Sequence, residues 1–158
     1  MDTSVTIIGI IITILIAIPL TFILRSNSVN KSKIKAIKKQ YSQNNLYNFE
    51  VTESQNKKII SIDLKKKGLL FIDFSYKKDI VNFIDLNKIH SCKIIPTTSA
   101  NSSTILKLEL EFLYTKDQKK ELIPIYNIDN QFLDPICLYE DHQLAKKWVK
   151  IIDDCISK

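Results

Sequence analysis

Glycine is nearly missing from this 158-residue chain, which has two, Gly9 and Gly68. A phosphate-cradling P-loop or a dinucleotide-binding turn needs several glycines where backbone must approach phosphate, so both are excluded. Cysteine is sparse as well: Cys92, Cys137 and Cys155 are odd in number and irregularly spaced. That is neither a disulfide framework nor a C-x-x-C redox or zinc motif, and it fits a reducing compartment. Arginine occurs once, as Arg25, among 23 basic residues. Nucleic-acid readers depend on Arg for bidentate contacts to guanine and phosphate, so no nucleic-acid partner is expected. The two histidines, His90 and His142, lie in no nucleophile-elbow or similar context, and no catalytic residue or cofactor is assigned.

Charge is absent from Val5 to Leu24, and the run ends abruptly at Arg25. Twenty helical residues span about 30 Å, the hydrocarbon thickness of a bilayer. Fourteen of them are Ile, Leu, Val or Phe, and at roughly 0.3 to 0.6 kcal/mol of insertion free energy each they outweigh the threonines, Gly9 and Pro19. The run reads as a transmembrane helix. Met1 to Ser4 offers no positive n-region and no small-x-small cleavage site follows, so an uncleaved anchor is expected. All 23 basic residues and all of the 17 acids but Asp2 come after the run, so the chain beyond it carries +7. Arg25, Lys31, Lys33, Lys35, Lys38 and Lys39 follow with no acid before Glu50. By the positive-inside rule the N-terminus is outside and the C-terminal part is cytoplasmic, at the plasma (inner) membrane. These six cations are also candidate contacts for anionic lipid headgroups. The tether is assigned to 25–45, with Ile34, Ile37 and Tyr41 forming a narrow apolar stripe on a lysine-rich helix from Ser32 to about Asn44.

From Leu46 the apolar period switches to two, and 46–158 reads as one domain. Strands are expected over Ile60–Leu64, Leu69–Phe74, Ile80–Leu86, His90–Ile95 (ended by Pro96), Ile105–Tyr114 and Leu122–Tyr126, with Leu46–Val51 a further one. Lys65, Lys66, Lys67 and Gly68 form the first hairpin connection. Thr97 to Ser103 is a loop. Pro124 lacks a ladder donor and belongs on an edge or at a bulge. Glu140–Ile156 is an amphipathic helix whose Leu144, Ala145, Trp148, Val149, Ile151, Ile152, Cys155 and Ile156 fall within one arc of about 160°. Glu140 and Asp141 are expected at its N-terminus, where the helix dipole favours them. The fold class is α+β: an N-terminal transmembrane helix, then an antiparallel barrel or sandwich of six to seven strands closed by a C-terminal helix.

That order of elements resembles the pleckstrin-homology superfold. Phe83-Ile84-Asp85-Leu86-Asn87-Lys88-Ile89 followed by Cys92-Lys93-Ile94 looks like a strand ending of bacterial PH-like domains. Ala145 to Ile152, with Trp148, looks like their closing helix. The resemblance spans about Lys57 to Ile156. It implies that Lys65, Lys66 and Lys67, with Lys77 and Lys78, stand where lipid-binding members hold inositol phosphates. The Arg-x-aromatic element that accompanies them there is absent from this chain.

Other constellations give alternatives. His90 and Cys92, two apart on one strand, would share a face and supply two metal ligands beside His142 or Cys137; no metal site is assigned. Ile62-Asp63, Ile72-Asp73 and Ile84-Asp85 repeat in successive strands as a gathering of carboxylates or as solvent-facing positions and strand ends beside lysines. Trp148 is read as the anchor of the closing helix. The expected function is a single-pass, membrane-anchored binding or scaffolding module, bound to the bilayer through Val5 to Leu24 and to a protein partner or anionic lipid. The alternative is a membrane-tethered enzyme using His90, His142 or the strand aspartates.

Overall fold

The structure, a computed structural model, describes residues 13, 31–42, 44–76, 78–99, 104–117, 119–128 and 135–157, without the side chains of 135 and 136. The expected membrane span therefore lies outside the described residues apart from Thr13, as do Arg25 and Lys77. No helix among the described residues is long and apolar enough to cross a membrane. The chain divides into two compact units, Met1–Gln40 and Tyr41–Lys158. Helix α1 runs through 31–41. At 100° per residue its Lys31, Lys35, Lys38 and Lys39 fall within an arc of about 100°, beside the stripe of Ile34 and Ile37.

The second unit is α+β. Four antiparallel strands form one sheet: β1 (Val51–Gln55), β2 (Lys58–Asp63), β3 (Gly68–Asp73) and β4 (Ile80–Asp85). A 3-10 turn, Leu86–Lys88, leads into a three-stranded antiparallel sheet of β5 (Ile89–Thr98), β6 (Ile105–Tyr114) and β7 (Lys120–Asn127). Helix α2 (Pro135–Ile156) packs chiefly on β5 and β7. Among the described residues the two sheets stay separate, giving seven strands in a sandwich with no closed barrel.

Where expectation and structure part, the backbone explains it. The strand expected over Leu46–Val51 starts where that segment ends. Asn44 and Asn45 turn the chain with φ of 58° and 67°, and pairing begins only at Val51, opposite Ile62. The first hairpin is therefore β1–β2, closed by Asn56 and Lys57, both in the left-handed region at φ 47° and 64°. Positive φ at both central residues is the type I′ geometry that matches strand twist, and Asn-Lys supplies it without the usual glycine. The connection carrying Lys65, Lys66 and Lys67 is thus the second hairpin. Its Leu64 falls in the turn, half exposed.

Pro96 does not end a strand: it lies on β5, an edge strand, where a residue without a donor is tolerated. Thr97 and Thr98 accordingly belong to β5. Pro124 meets both parts of its expectation, on edge strand β7 beside a register shift. Strand β6 keeps its expected bounds, and Leu108, Leu110 and Phe112 point into the core. Helix α2 begins five residues early, since Pro at a first helical position gives up no needed donor. Glu140 and Asp141 are therefore interior to the helix and do not cap its dipole.

Both faces of β2 and β3 are buried. On one face Ile60, Ile62, Leu69, Phe71 and Ile84 join Trp148, Leu144, Phe112 and Ile125 in the core. Register places Ile59, Ile72 and Val81, and Ser61, Leu70 and Phe83, on the other. There Phe83 meets the Tyr47 ring edge-on at 4.9 Å, with Phe49 and Tyr41 at 6.4 Å. The unbroken runs Ile59-Ile60 and Leu69-Leu70-Phe71-Ile72 are the pattern of strands covered on two sides.

Candidate functional site

The three strand-end aspartates share one job. Asp63 accepts hydrogen bonds from the backbone N–H of Lys65 and Lys66 at 2.9 Å and of Asn48 at 2.6 Å. Asp73 accepts from Ser75 N–H at 2.7 Å, and Asp85 from Asn87 N–H at 3.1 Å. Each closes the turn that follows its strand. Burial pushes the Asp63 carboxyl up, but the three backbone donors outweigh it and hold the group below its usual value. For Asp85 burial is likewise overcome by the side chains of Asn87 and Lys88. Asp63 and Asp73 are buried at their strand ends, so they are not solvent-facing. The three aspartates do not gather: Asp63 and Asp85 flank Gly68 at one end of the sheet, and Asp73 lies at the other end. Among the described residues no three His, Cys, Asp or Glu side chains are placed to hold a metal ion.

His90 and Cys92 do not share a face. A register shift between Ile89 and Ser91 leaves His90 exposed and turns Cys92 into the core. The Cys92 thiol is pushed up to about 12, mainly by burial. His142 lies on α2, half-buried, and Cys137 one turn before it.

The lysines are a different matter. Turn 64–67 is sewn to the 3-10 turn: Leu86 N–H donates to the Lys67 carbonyl at 2.8 Å, and the Asn87 amide to the Lys66 carbonyl at 3.1 Å. The 3-10 turn is sewn in turn to the β6–β7 connection, where Thr115 N–H and Oγ1 donate to the Lys88 carbonyl at 2.9 and 3.1 Å. One end of the sandwich thus carries Lys65, Lys66, Lys67, Lys88, Lys116 and Lys119. Five of them are exposed and Lys67 half-buried. Asp117 is the one acid within these three turns, which leaves them +5, or +3 with Asp63 and Asp85 at their bases. Lys119 sits 6.0 Å from the centre of the Tyr114 ring, and Lys88 pairs with Asp85 at 3.1 Å. A cleft of about 250 Å³ opens beside them, lined by Leu64, Lys67, Ile151, Asp154 and Cys155.

Sequence reasoning named Lys65, Lys66 and Lys67 but missed Lys88, Lys116 and Lys119. Alternate connections of an antiparallel meander fall at the same end, and that count would have found them. The same rule separates Lys78, on the β3–β4 connection, from Lys65, Lys66 and Lys67, so Lys78 does not join them. Of the tether cations, Lys31, Lys33, Lys35 and Lys39 are exposed on α1 and Lys38 is half-buried.

The point where the chain enters this unit lies at the same end. Asn48 N–H is fastened to Asp63, and the Tyr47 ring covers Gly68, where a Cβ would overlap it. Close approach, not φ, is what requires glycine there. The opposite end is built differently, as a polar clasp on α2. Lys58 Nζ meets Asp141 Oδ2 at 2.9 Å with both side chains buried, and the Asn56 amide donates to Asp141 and Glu140 at 3.0 and 3.2 Å. Further along the helix Trp148 Nε1 donates to Glu53 at 2.9 Å, and Lys147 pairs with the same carboxylate. Burial raises the Asp141 carboxyl, offset in part by Lys58 and Asn56. Comparison with family models, curated proteins and solved structures gives no match to this chain.

Proposed function

We propose that the protein is a single-pass membrane protein whose second unit is a cytoplasmic binding or scaffolding module of PH-like fold, acting by binding and not by turnover. Val5 to Leu24 crosses the inner membrane, with the N-terminus outside. Four strands, then three, then a closing helix with a buried Trp is the element order that supports the PH-like reading. The observation that carries the role is the fastening of Tyr47 and Asn48 to Gly68 and Asp63. A chain held at the membrane through its N-terminal side presents the module from its cationic end. The opposite end and the sheet edges are left toward the cytoplasm for a protein partner.

Cysteine labelling in intact cells tests the topology. Ser4→Cys should react with a membrane-impermeant reagent, and Thr97→Cys should react only after permeabilisation. The reverse pattern would reject the cytoplasmic assignment. Labelling of both before permeabilisation would reject the membrane span.

A further inference from the structure

Three sewn turns with a shared cationic surface ask what they face. We infer that turns 64–67 and 86–88, with residues 115–117 and 119 of the β6–β7 connection, form one surface that lies on the anionic headgroups of the leaflet in which the chain is anchored. The inference rests on the membrane-anchored reading and adds the partner chemistry and the residues that meet it.

Four observations converge. First, the backbone hydrogen bonds from Leu86 and Thr115 fix the three turns relative to one another, so their lysines are arrayed before any ligand arrives. Second, the carboxylates at their bases are turned inward: Asp63 is taken up by three backbone N–H groups, and Asp85 by Asn87 and Lys88. Asp117 in the third turn and Asp154 beside Lys67 are exposed acids at this end, and the six lysines outnumber them. Third, Leu64 is 50% exposed in the first turn, and Leu46, 49% exposed, stands next to Tyr47 where the chain enters. Two apolar tips among cations suit a surface with charged headgroups above hydrocarbon, since Lys side chains lay their stems on apolar groups and hold the ammonium in water. Fourth, the chain enters at this very end, so the surface is held near the leaflet at high effective concentration, and weak contacts become populated.

The chemistry also selects the ligand class. Each lysine ammonium is a compact point charge on a flexible stem, and none of the three turns carries the planar Arg fork suited to one phosphate. An extended anionic sheet fits that array better than a single enclosed headgroup. Nucleic-acid recognition would call for arginine among the cations, and none of these turns carries one.

The test is hydrogen exchange of the full chain in nanodiscs, either neutral phosphatidylcholine or the same lipid with about 30% phosphatidylserine, a composition that sets a negative surface potential. The expected result is exchange at least about threefold slower at turns 64–67 and 86–88 and at residues 115–117 and 119 on the anionic discs, with the difference vanishing in about 1 M salt, where the Debye length falls to about 3 Å. The combined variant Lys65→Gln, Lys66→Gln, Lys116→Gln, Lys119→Gln should lose the slowing while the amides of Leu108 and Leu110 in β6 keep wild-type protection. Equal exchange on the two lipids overturns the inference. So does slowing confined to turns 56–57 and 74–76, or slowing produced by a short RNA on neutral discs. A chain that fails to float with neutral discs rejects the anchor itself, a failure distinct from loss of the lipid effect on a chain that floats.

Discussion

Replacing Asp141 with Ala would leave the Lys58 ammonium buried without its partner. The pair is 2.9 Å apart with side-chain exposures of 1% and 0%, and the Asn56 amide loses one acceptor as well. Breaking such a buried pair from one side costs about 3 to 5 kcal/mol, a large part of the roughly 5 to 15 kcal/mol that holds a domain folded. Replacing both partners, as Lys58→Met with Asp141→Leu, should fall within about 1 kcal/mol of wild type or above it, because desolvation of two charges is removed along with their attraction. Trp148 is the chain's single tryptophan and lies two turns further along the same helix. Urea denaturation in detergent micelles, followed by its fluorescence, therefore reads the clasp directly. The pH dependence adds a sign. Asp141 has a folded pKa above its ordinary 3.8, so the folded state binds the extra proton, and stability falls as pH rises from about 4 through the folded value. Lys58→Met removes the cation that lowers it, so its deficit should shrink on acidification. Asp141→Ala, with no carboxyl, should show no such recovery. A loss under 1 kcal/mol for Asp141→Ala, or a double variant costing the sum of the two singles, would refute this account of the clasp.

Three further outcomes follow from the packing. Trp148→Ala should cost about 3 to 5 kcal/mol in the same titration, monitored by far-ultraviolet circular dichroism, since the side chain is fully buried in the core. Gly68→Ala should cost about 1 to 3 kcal/mol by forcing a methyl against the Tyr47 ring, and Tyr47→Ala in the same chain should recover part of that loss. Under native conditions a thiol reagent should modify Cys137 first, because Cys92 and Cys155 are buried; fast modification of Cys92 would mean that β5 does not seat it in the core.

Much of this fold was legible because one physical signal acted alone. In β6 a two-residue period of large apolar groups runs without interruption, and its bounds were read as found. Helix α2 gave its core face for the same reason, while its start was lost because Pro135 was not taken as a first helical residue. Strand β1 was missed because Val51-Thr52-Glu53-Ser54-Gln55 is polar. Its place is set by pairing with Ile59, Ile60 and Ile62, and by Glu53 reaching Trp148. The clasp was invisible for a related reason: Lys58 and Asp141 are far apart in sequence, and neither carries a local sign of burial. His90 and Cys92 show the opposite error, where an unbroken period was assumed and a bulge cancelled it. Half of the cationic end was named from its lysine run. The other half, Lys88, Lys116 and Lys119, is gathered only by the alternation of hairpin ends.

Orientation at the bilayer is the claim on which the rest depends. Its most direct measurement compares fluorophores at Asp117→Cys, on the cationic end, and Lys78→Cys, on the opposite one, each in a Cys137→Ser full-length chain. The two sites sit at opposite ends of strands about 20 Å long, at roughly 3.4 Å per residue. In nanodiscs carrying a quencher on the lipid headgroup, the label at position 117 should be quenched strongly and the label at 78 weakly, the difference being greater on anionic discs. Equal quenching, or stronger quenching at 78, would contradict a module held with its cationic end against the leaflet.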